Sequence, residues 1–115
     1  MRIVITLPAR LTELVQRRIS ALQSATEFIL ICTEAGESIP ALQHDDGLLM
    51  LQPADFVLSR QAASVADESG IRYGEAALVE SPQAGDYGFM IAVGGKAADL
   101  HALAPVFNAL APCPY

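Results

Sequence analysis

The amino-acid sequence predicts one α/β domain of two or three layers that covers residues 1–115 and contains about five strands. Short apolar runs rich in β-branched residues alternate with segments whose apolar residues recur at helical spacing. The 115 residues are the length of one domain, and an apolar share of 52% is enough to fill a core. Residues 88–95 form an almost unbroken apolar run ending in two glycines, so we expect a strand buried on both faces at the centre of the sheet.

The first third of the chain predicts a strand, an amphipathic helix and a second strand. Residues 2–7 are apolar and β-branched, and Pro8 ends this strand and can take the first position of a helix. In residues 11–22, apolar side chains recur every three or four positions with charged ones between them, which predicts the helix. Residues 28–32 are a second apolar run and predict the next strand.

The stretch from residue 36 to residue 52 has two interpretations. Residues 38–43 form a short helix, or else residues 38–42 return as the second strand of a hairpin around Gly36. Residues 48–51 are apolar but too few for periodicity to separate a strand from a helical turn. A helix here implies a mostly parallel sheet, whereas a hairpin implies an antiparallel sheet with helices on its faces.

The remaining segments predict a helix, two strands and a final helix. Gly74 should interrupt the first of these strands, and Pro105 should kink or split the final helix, because proline removes a donor and crowds the preceding turn. The segments before and after the run of residues 88–95 are a helix over residues 53–68, a strand over residues 71–80, a loop over residues 81–86 and a helix over residues 97–110.

The charge of the chain argues against several kinds of partner. The formal net charge is −6, which repels the phosphates of nucleic acids and anionic lipids, so we expect neither nucleic-acid nor membrane binding. Arg10, Arg17 and Arg18 are interpreted as a solvated helix face rather than a basic patch. Only 17% of the residues are charged, which leaves apolar surface and predicts a homodimer, with a protein partner as a further possibility.

The two cysteines and the absence of long apolar runs predict a cytoplasmic protein. Cys32 lies in an apolar run and is interpreted as a small buried hydrophobic residue, and Cys113 lies between two prolines. They do not form a Cys-x-x-Cys motif, so no zinc or redox site is predicted. No apolar run approaches the roughly 20 residues of a membrane span, and the N-terminal stretch does not have the pattern of a signal peptide.

A series of short motifs lies between residues 70 and 112. In chain order they are Gly-Ile-Arg-Tyr, Glu-Ala, Ser-Pro, Met-Ile-Ala-Val-Gly-Gly and Pro-Val-Phe-Asn-Ala-Leu-Ala. This series resembles the last third of the nucleotide-binding domain of the β-hydroxyacid and 6-phosphogluconate dehydrogenase superfamily. The resemblance covers a little over a third of the chain and implies a partial or degenerate Rossmann-like fold with NAD(P) as the candidate cofactor.

The sequence departs from this superfamily where the chemistry lies. The glycine fingerprint of dinucleotide-binding folds is absent, because residues 6–11 read Thr-Leu-Pro-Ala-Arg-Leu. The serine and the following glycine of the family's substrate loop fall on Val79 and Glu80. The family's catalytic lysine lies in a helical domain beyond the last residue of this chain. We therefore predict no catalytic residue and no autonomous dehydrogenase activity.

The resemblance nevertheless implies three candidate cofactor-binding residues. Thr6 lies at the end of the first predicted strand, where the fingerprint would begin. Glu34 follows the second strand, where an acid holds ribose hydroxyls in dinucleotide folds, and Glu37 lies close by. Ser81 lies in a loop at the predicted carboxyl edge of the sheet.

Two other groups of polar residues have the composition of sites. His44, Asp45 and Asp46 have side chains suited to metal binding or acid–base chemistry, but a polar turn explains them equally well. His101 lies on the polar side of the last helix without a partner in sequence. We predict no metal site at either place.

Two alternative folds carry other functions. The order of elements with a hairpin around Gly36 resembles the roadblock type of α+β sandwich, a dimeric protein-interaction module. The opening residues 1–7 and the helix after them resemble the start of a ribbon–helix–helix regulator. Antiparallel pairing of residues 28–32 with residues 38–42 would support the roadblock fold, whereas a parallel central sheet would support the dehydrogenase-like fold.

Overall fold

The computed structural model describes residues 2–23, 28–34, 41–52 and 56–111. A 3-10 turn (Ala9–Leu11) connects the first strand to the first helix. The strands are β1 (Arg2–Leu7), β2 (Ile29–Glu34), β3 (Gly47–Leu51), β4 (Arg72–Leu78) and β5 (Ile91–Gly94). The helices are α1 (Thr12–Gln23), α2 (Phe56–Glu68), the single turn α3 (Ala84–Tyr87) and α4 (Ala97–Leu110).

The five strands form one mixed sheet in the order β2-β1-β3-β4-β5. The first four are parallel, and β5 runs antiparallel to β4. Helices cover both faces of the sheet, so the predicted α/β class is confirmed with three layers. The chain leaves β1 through α1 to reach β2 on one side, then returns past β1 to reach β3 on the other. This reversal between β1 and β3 is the topological switch point at which open α/β sheets bind ligands.

The larger core lies between the sheet and the helices α1 and α4. Ile3 and Ile5 of β1 are fully buried and lie in one cluster with Val15 and Ile19 of α1. These α1 residues follow the predicted helical spacing, so the apolar face of the helix is already covered by its own sheet.

Two glycines allow α4 to approach the sheet closely. Gly47 of β3 and Gly74 of β4 lie under Leu103, and a Cβ added at either glycine would come within 3.0 Å of a methyl group of Leu103. The predicted interruption at Gly74 does not occur. Gly74 lies within a continuous β4, where the lack of a side chain leaves space for α4. Pro105 also lies inside an unbroken α4, so the predicted split does not occur.

The strand predicted at the centre of the sheet lies at its edge. Within the described part of the chain, β5 pairs with β4 alone, and Ile91 lies opposite Leu78. Its side chains alternate between half-buried and exposed, with Ala92 on the open side. The prediction was wrong because a short apolar run that contains small residues can form an edge strand as well as a central strand. The strand at the centre of the sheet is β3, and both β3 and β1 pair on each side with parallel neighbours.

The two alternative folds do not agree with this sheet. β2 pairs in parallel with β1, and the four strands β2, β1, β3 and β4 are all parallel. A parallel sheet favours the dehydrogenase-like fold over the roadblock fold. A ribbon–helix–helix dimer needs a free opening strand, whereas β1 has partners on both edges. Residues 41–43 are neither helix nor strand, and residues 38–40, on which the helix and hairpin interpretations depend, lie outside the described residues. None of the described helices is long and apolar enough to cross a lipid bilayer.

Candidate functional site

The candidate site is the edge of the sheet formed by the carboxyl ends of the parallel strands. The three predicted cofactor-binding residues all lie at this edge. Thr6 is buried near the end of β1, Glu34 ends β2 opposite Leu7, and Ser81 follows β4. The structure therefore brings them to one side of the sheet, and their role in binding stays a prediction. Glu37 lies outside the described residues.

Ser81 has a local structural role at this edge. Its hydroxyl group donates a hydrogen bond to Oε1 of Gln83 at 2.7 Å and accepts one from the backbone N–H of the same residue at 3.3 Å. These bonds hold the turn before α3, a segment that we had predicted as a loop without a helix. Ser81 thus shapes the chain between β4 and β5.

The turn between β1 and α1 occupies the place of the glycine fingerprint. Pro8 has an extended conformation and no N–H group, so it offers no backbone donor. The N–H of Leu11 donates to the carbonyl of Pro8 at 2.9 Å, and the Leu11 side chain is buried in the core. A dinucleotide fingerprint needs bare backbone and free N–H groups at this turn. The residues present here do not fit a pyrophosphate group.

A bidentate ion pair crosses the edge at the switch point. Nε of Arg10 lies 2.7 Å from Oε1 of Glu80, and Nη2 lies 2.8 Å from Oε2. Arg10 follows β1 and Glu80 follows β4, so the pair spans the end of β3, which lies between those strands. The hydrogen bonds and the opposite charge raise the pKa of Arg10 and lower the pKa of Glu80. The crevice is therefore bridged by two charges that neutralise each other.

Gln52 fixes the acidic half of this ion pair. Its side-chain amide donates to the carbonyl of Leu78 at 2.7 Å, and its Oε1 accepts from the N–H of Leu78 at 2.8 Å. The same amide nitrogen lies 3.2 Å from Oε2 of Glu80. Gln52 has a left-handed backbone with φ of 52°, which is unusual for a residue with a side chain and is often found at functional sites.

The sequence analysis missed Arg10, Gln52 and Glu80 as a group. A signal was present, because a basic residue stands within the missing fingerprint and an acidic residue stands where the substrate loop would have glycine. Opposite charges at two positions where glycine is expected are a pattern that predicts an ion pair. Gln52 left no such signal, since its role depends on its backbone conformation.

The turn of His44, Asp45 and Asp46 lies at the opposite, amino edge of the sheet and is structural. Asp46 accepts hydrogen bonds from the N–H of Gln43 at 2.8 Å and from Arg2 at 3.1 Å, and these bonds lower its pKa. Across the described residues, no group of three His, Cys, Asp or Glu side chains is placed to hold a metal ion. His101 is exposed on α4.

The two arginines of α1, Arg17 and Arg18, also have partners within the chain. Arg17 pairs with Glu13 and Asp86, and Arg18 donates to backbone carbonyls of α3 and the end of α4. Together with the Arg10–Glu80 pair, these contacts use all three arginines internally. The absence of nucleic-acid binding stays a prediction.

A cavity of about 320 Å³ lies between α2, β4 and the start of α4. Tyr73 donates a hydrogen bond to Oε1 of Glu75 at 2.7 Å along its wall. Lys96 pairs with Asp67, and Asp99 accepts from the N–H of Tyr73 at 3.3 Å. The polar side chains that line the cavity therefore pair with one another or with the backbone.

Comparison with known proteins shows the fold. No protein-family model and no curated protein matches the sequence. An imine reductase from Myxococcus stipitatus, solved with NAD+, matches 97% of the chain with a TM-score of 0.63 and 18% identity. A 3-hydroxyisobutyrate dehydrogenase from Mycobacterium tuberculosis, solved with L-serine, matches 97% with a TM-score of 0.65 and 10% identity. The chain spans about half of each, 52% of their length. The predicted resemblance is confirmed as a likeness of fold, which is the Rossmann-like fold of dehydrogenase domains.

Proposed function

We propose that this chain is a non-catalytic Rossmann-like domain that acts through association with protein and not through hydride transfer. The observation that carries this proposal is the Arg10–Glu80 ion pair across the switch point, above a turn in which Pro8 and Leu11 replace glycines. A dehydrogenase domain of this fold binds its dinucleotide at that place.

The backbone at this edge supports the absence of a bound dinucleotide. A pyrophosphate needs several N–H groups at the start of the first helix, and here Pro8 has none and the N–H of Leu11 is bonded to a carbonyl. The carboxylate of Glu80 pairs with the guanidinium of Arg10, so that Arg10 offers no free positive charge to a phosphate there. The proposal therefore rests on two obstacles, one in the backbone and one in the ion pair.

Association with a second copy is the partner we propose. The edges of β1 and the apolar face of α1 are occupied within the chain itself, so neither offers a surface to a second copy. An exposed apolar surface remains on β4 and β5, and we call Ala77, Val79, Met90 and Ala92 the β4–β5 patch. Ala77 lies opposite Ala92, and the N–H of Val79 donates to the carbonyl of Met90 at 2.9 Å, so the four side chains share one face.

A cytoplasmic location is part of the same proposal. Cys32 is a half-buried free thiol that packs against the core, and burial raises its pKa and makes it less reactive. A thiol of this kind suits a reducing compartment.

Cofactor binding is the test of the non-catalytic claim. We expect NAD+ or NADP+ at about 1 mM, the upper end of usual KM values, to leave the melting temperature unchanged. The V8 variant of the Myxococcus stipitatus imine reductase, which was solved in complex with NAD+, is the positive control for the assay. A clear rise in the melting temperature, or formation of NADH from NAD+ and 3-hydroxyisobutyrate, would contradict the proposal.

A further inference from the structure

One side of β5 presents backbone groups that β4 does not use. The N–H of Val79 donates to the carbonyl of Met90 at 2.9 Å, so these two residues form a hydrogen-bonded pair of the antiparallel ladder. Hydrogen-bonded pairs alternate along such a ladder, which makes Ala92 and Gly94 the next residues of β5 that bond to β4. The residues between them therefore turn their N–H and carbonyl groups away from β4.

The open edge of β5 consists of the backbone groups of Ile91 and Val93. On this side the described residues place no strand. Before the edge, the N–H of Phe89 is bonded to the carbonyl of Leu110. After it, Gly95 has a φ of 149° and turns the chain into α4. The edge thus has two N–H groups and two carbonyl groups, and a second short antiparallel strand can bond all of them.

We propose that β5 of one chain pairs with β5 of a second copy about a two-fold axis, so that the two sheets continue into one another. This inference rests on the homodimer of the proposed function and specifies its contact. A two-fold axis at right angles to the sheet makes the two strands antiparallel. Every edge group is bonded only in the register that sets Ile91 opposite Val93 of the second copy and Ala92 opposite its own equivalent.

The side chains on the face of the β4–β5 patch support this register. It sets Met90 opposite Gly94 of the second copy, and Met90 is 69% exposed in the single chain. A Cβ added at Gly94 would meet nothing within 4 Å, and this glycine and Ala92 line an open groove of about 280 Å³. A large apolar side chain and a space that accepts it are thus present on the same chain. Two-fold symmetry brings them together twice, which identifies a second copy as the occupant of this edge.

The charge of this edge also fits a second copy. The formal net charge of −6 makes two copies repel one another, and a contact about a two-fold axis sets residues near the axis against their own equivalents. Residues 87–95 contain no charged side chain, so no carboxylate meets another there. Edge strands that stay unpaired are protected by charges, prolines or bulges, and β5 has no charge and no proline.

Amide hydrogen exchange of the full chain, followed by NMR, tests the pairing of the backbone. We expect the N–H groups of Ile91 and Val93 to exchange at least about tenfold more slowly than in the Met90→Asp variant, because the second copy protects them only in the dimer. The N–H groups of Ala92 and Gly94 bond to β4 within one chain. They are the internal control and should exchange slowly in both proteins.

Exchange of two side chains tests the register. Gly94→Met alone should weaken the dimer at least about tenfold, because two large side chains then compete for one space. The double variant M90G/G94M should restore the dimer, since the same pair of side chains meets with its places reversed. Sedimentation equilibrium measures both dissociation constants. Thermal melts show that each variant is folded, as expected from the open space at Gly94 within one chain.

The outcomes separate this inference from the proposed function. Fast exchange at Ile91 and Val93 in a chain that is a dimer by light scattering would overturn the inference while the proposed association stands. Slow exchange there in a monomer would mean that the same chain covers the edge, and this too would overturn it. A dimer that Gly94→Met leaves intact, or that M90G/G94M does not restore, would exclude the register. A monomer mass with fast exchange at this edge would overturn the association proposed above.

Discussion

Asp46 shows how a residue with the chemistry of an active site can serve only the fold. Its carboxylate accepts from the N–H of Gln43 within its own turn and from the guanidinium of Arg2 at the start of β1. Both bonds favour the charged carboxylate, and the backbone bond is the larger cause of its lowered pKa. The carboxylate of Asp46 therefore connects the turn before β3 to β1, and this connection depends on its charge.

The pH dependence of stability follows from this lowered pKa. A depressed pKa in the folded state adds stability above the ordinary value near 4, and this contribution is lost as the pH falls through the folded value. We expect Asp46→Asn to be less stable than the unmodified chain at pH 7, and the difference should close as the pH falls below the ordinary value and through the lowered folded value. Urea midpoints at several pH values measure it.

The exposed Glu13 provides the control for this experiment. Its side chain is 86% exposed, and an exposed pair such as that of Glu13 with Arg17 contributes little, so Glu13→Gln should change the urea midpoint only slightly. A constant gap between Asp46→Asn and the unmodified chain from pH 7 to acidic pH would show that Asp46 does not act through its charge.

At the scale of elements, one side chain joins three helices. Arg18 of α1 donates to the carbonyl of Ala109 at 2.9 Å, to that of Ala111 at 3.0 Å and to that of Asp86 at 3.1 Å. The first two carbonyls lie at the carboxyl end of α4, where the helix leaves acceptors unsatisfied and carries partial negative charge. The guanidinium fork therefore caps α4 and fixes α1 and α3 against it.

Loss of this fork should lower the free energy of unfolding. We expect Arg18→Ala to cost about 1.5–3 kcal/mol, the usual range for hydrogen bonds to a charged group. Arg18→Lys keeps the charge but not the planar fork, so it should recover only part of the loss. Urea denaturation followed by circular dichroism measures both variants.

Arg17 is the neighbouring control for Arg18. It pairs with exposed carboxylates of Glu13 and Asp86, and pairs of this kind contribute little. Arg17→Ala should change the free energy of unfolding by less than about 0.5 kcal/mol. Equal losses for the Ala variants of Arg17 and Arg18 would contradict the capping role.

The spacing of apolar residues identified the elements in which that spacing repeats over several turns. The helices α1 and α4 were predicted from apolar residues at helical spacing, and both pack on the sheet as that spacing requires. The position of β5 could not be read from its own residues, because pairing with β4 and exposure of Ala92 depend on neighbours far away in the sequence. The single turn of α3 is too short to have a period.

The candidate site shows the same division. Residues that end strands could be placed on one edge from the fold class alone, and Thr6, Glu34 and Ser81 do lie there. The ion pair of Arg10 with Glu80 required knowledge that β1 and β4 flank β3, because only this strand order brings their ends across one crevice. Sequence alone contains the charges but not the strand order.

At the scale of the whole molecule, the β4–β5 patch is an exposed apolar surface within the described part of the chain. Met90 is 69% exposed and Val79 is 59% exposed, which is high for large apolar side chains beside an edge strand. With few charges on the chain and the faces of β1 and α1 already covered, this patch is the surface that we propose a second copy contacts. An aspartate at the fully buried Val15 would therefore test the core and not an interface.

We expect the unmodified chain to be a homodimer that buries this patch. Light scattering on a sizing column should give twice the chain mass of 12.2 kDa. Met90→Asp should give the monomer mass without loss of fold, because its side chain faces solvent in the single chain and a charge there is unfavourable only against an apolar partner. Val65→Asp is the matched control, since Val65 is 60% exposed on α2 and should leave the dimer intact. A monomer mass for the unmodified chain that does not change at high concentration would rule the dimer out, and a dimeric Met90→Asp variant would place the interface elsewhere.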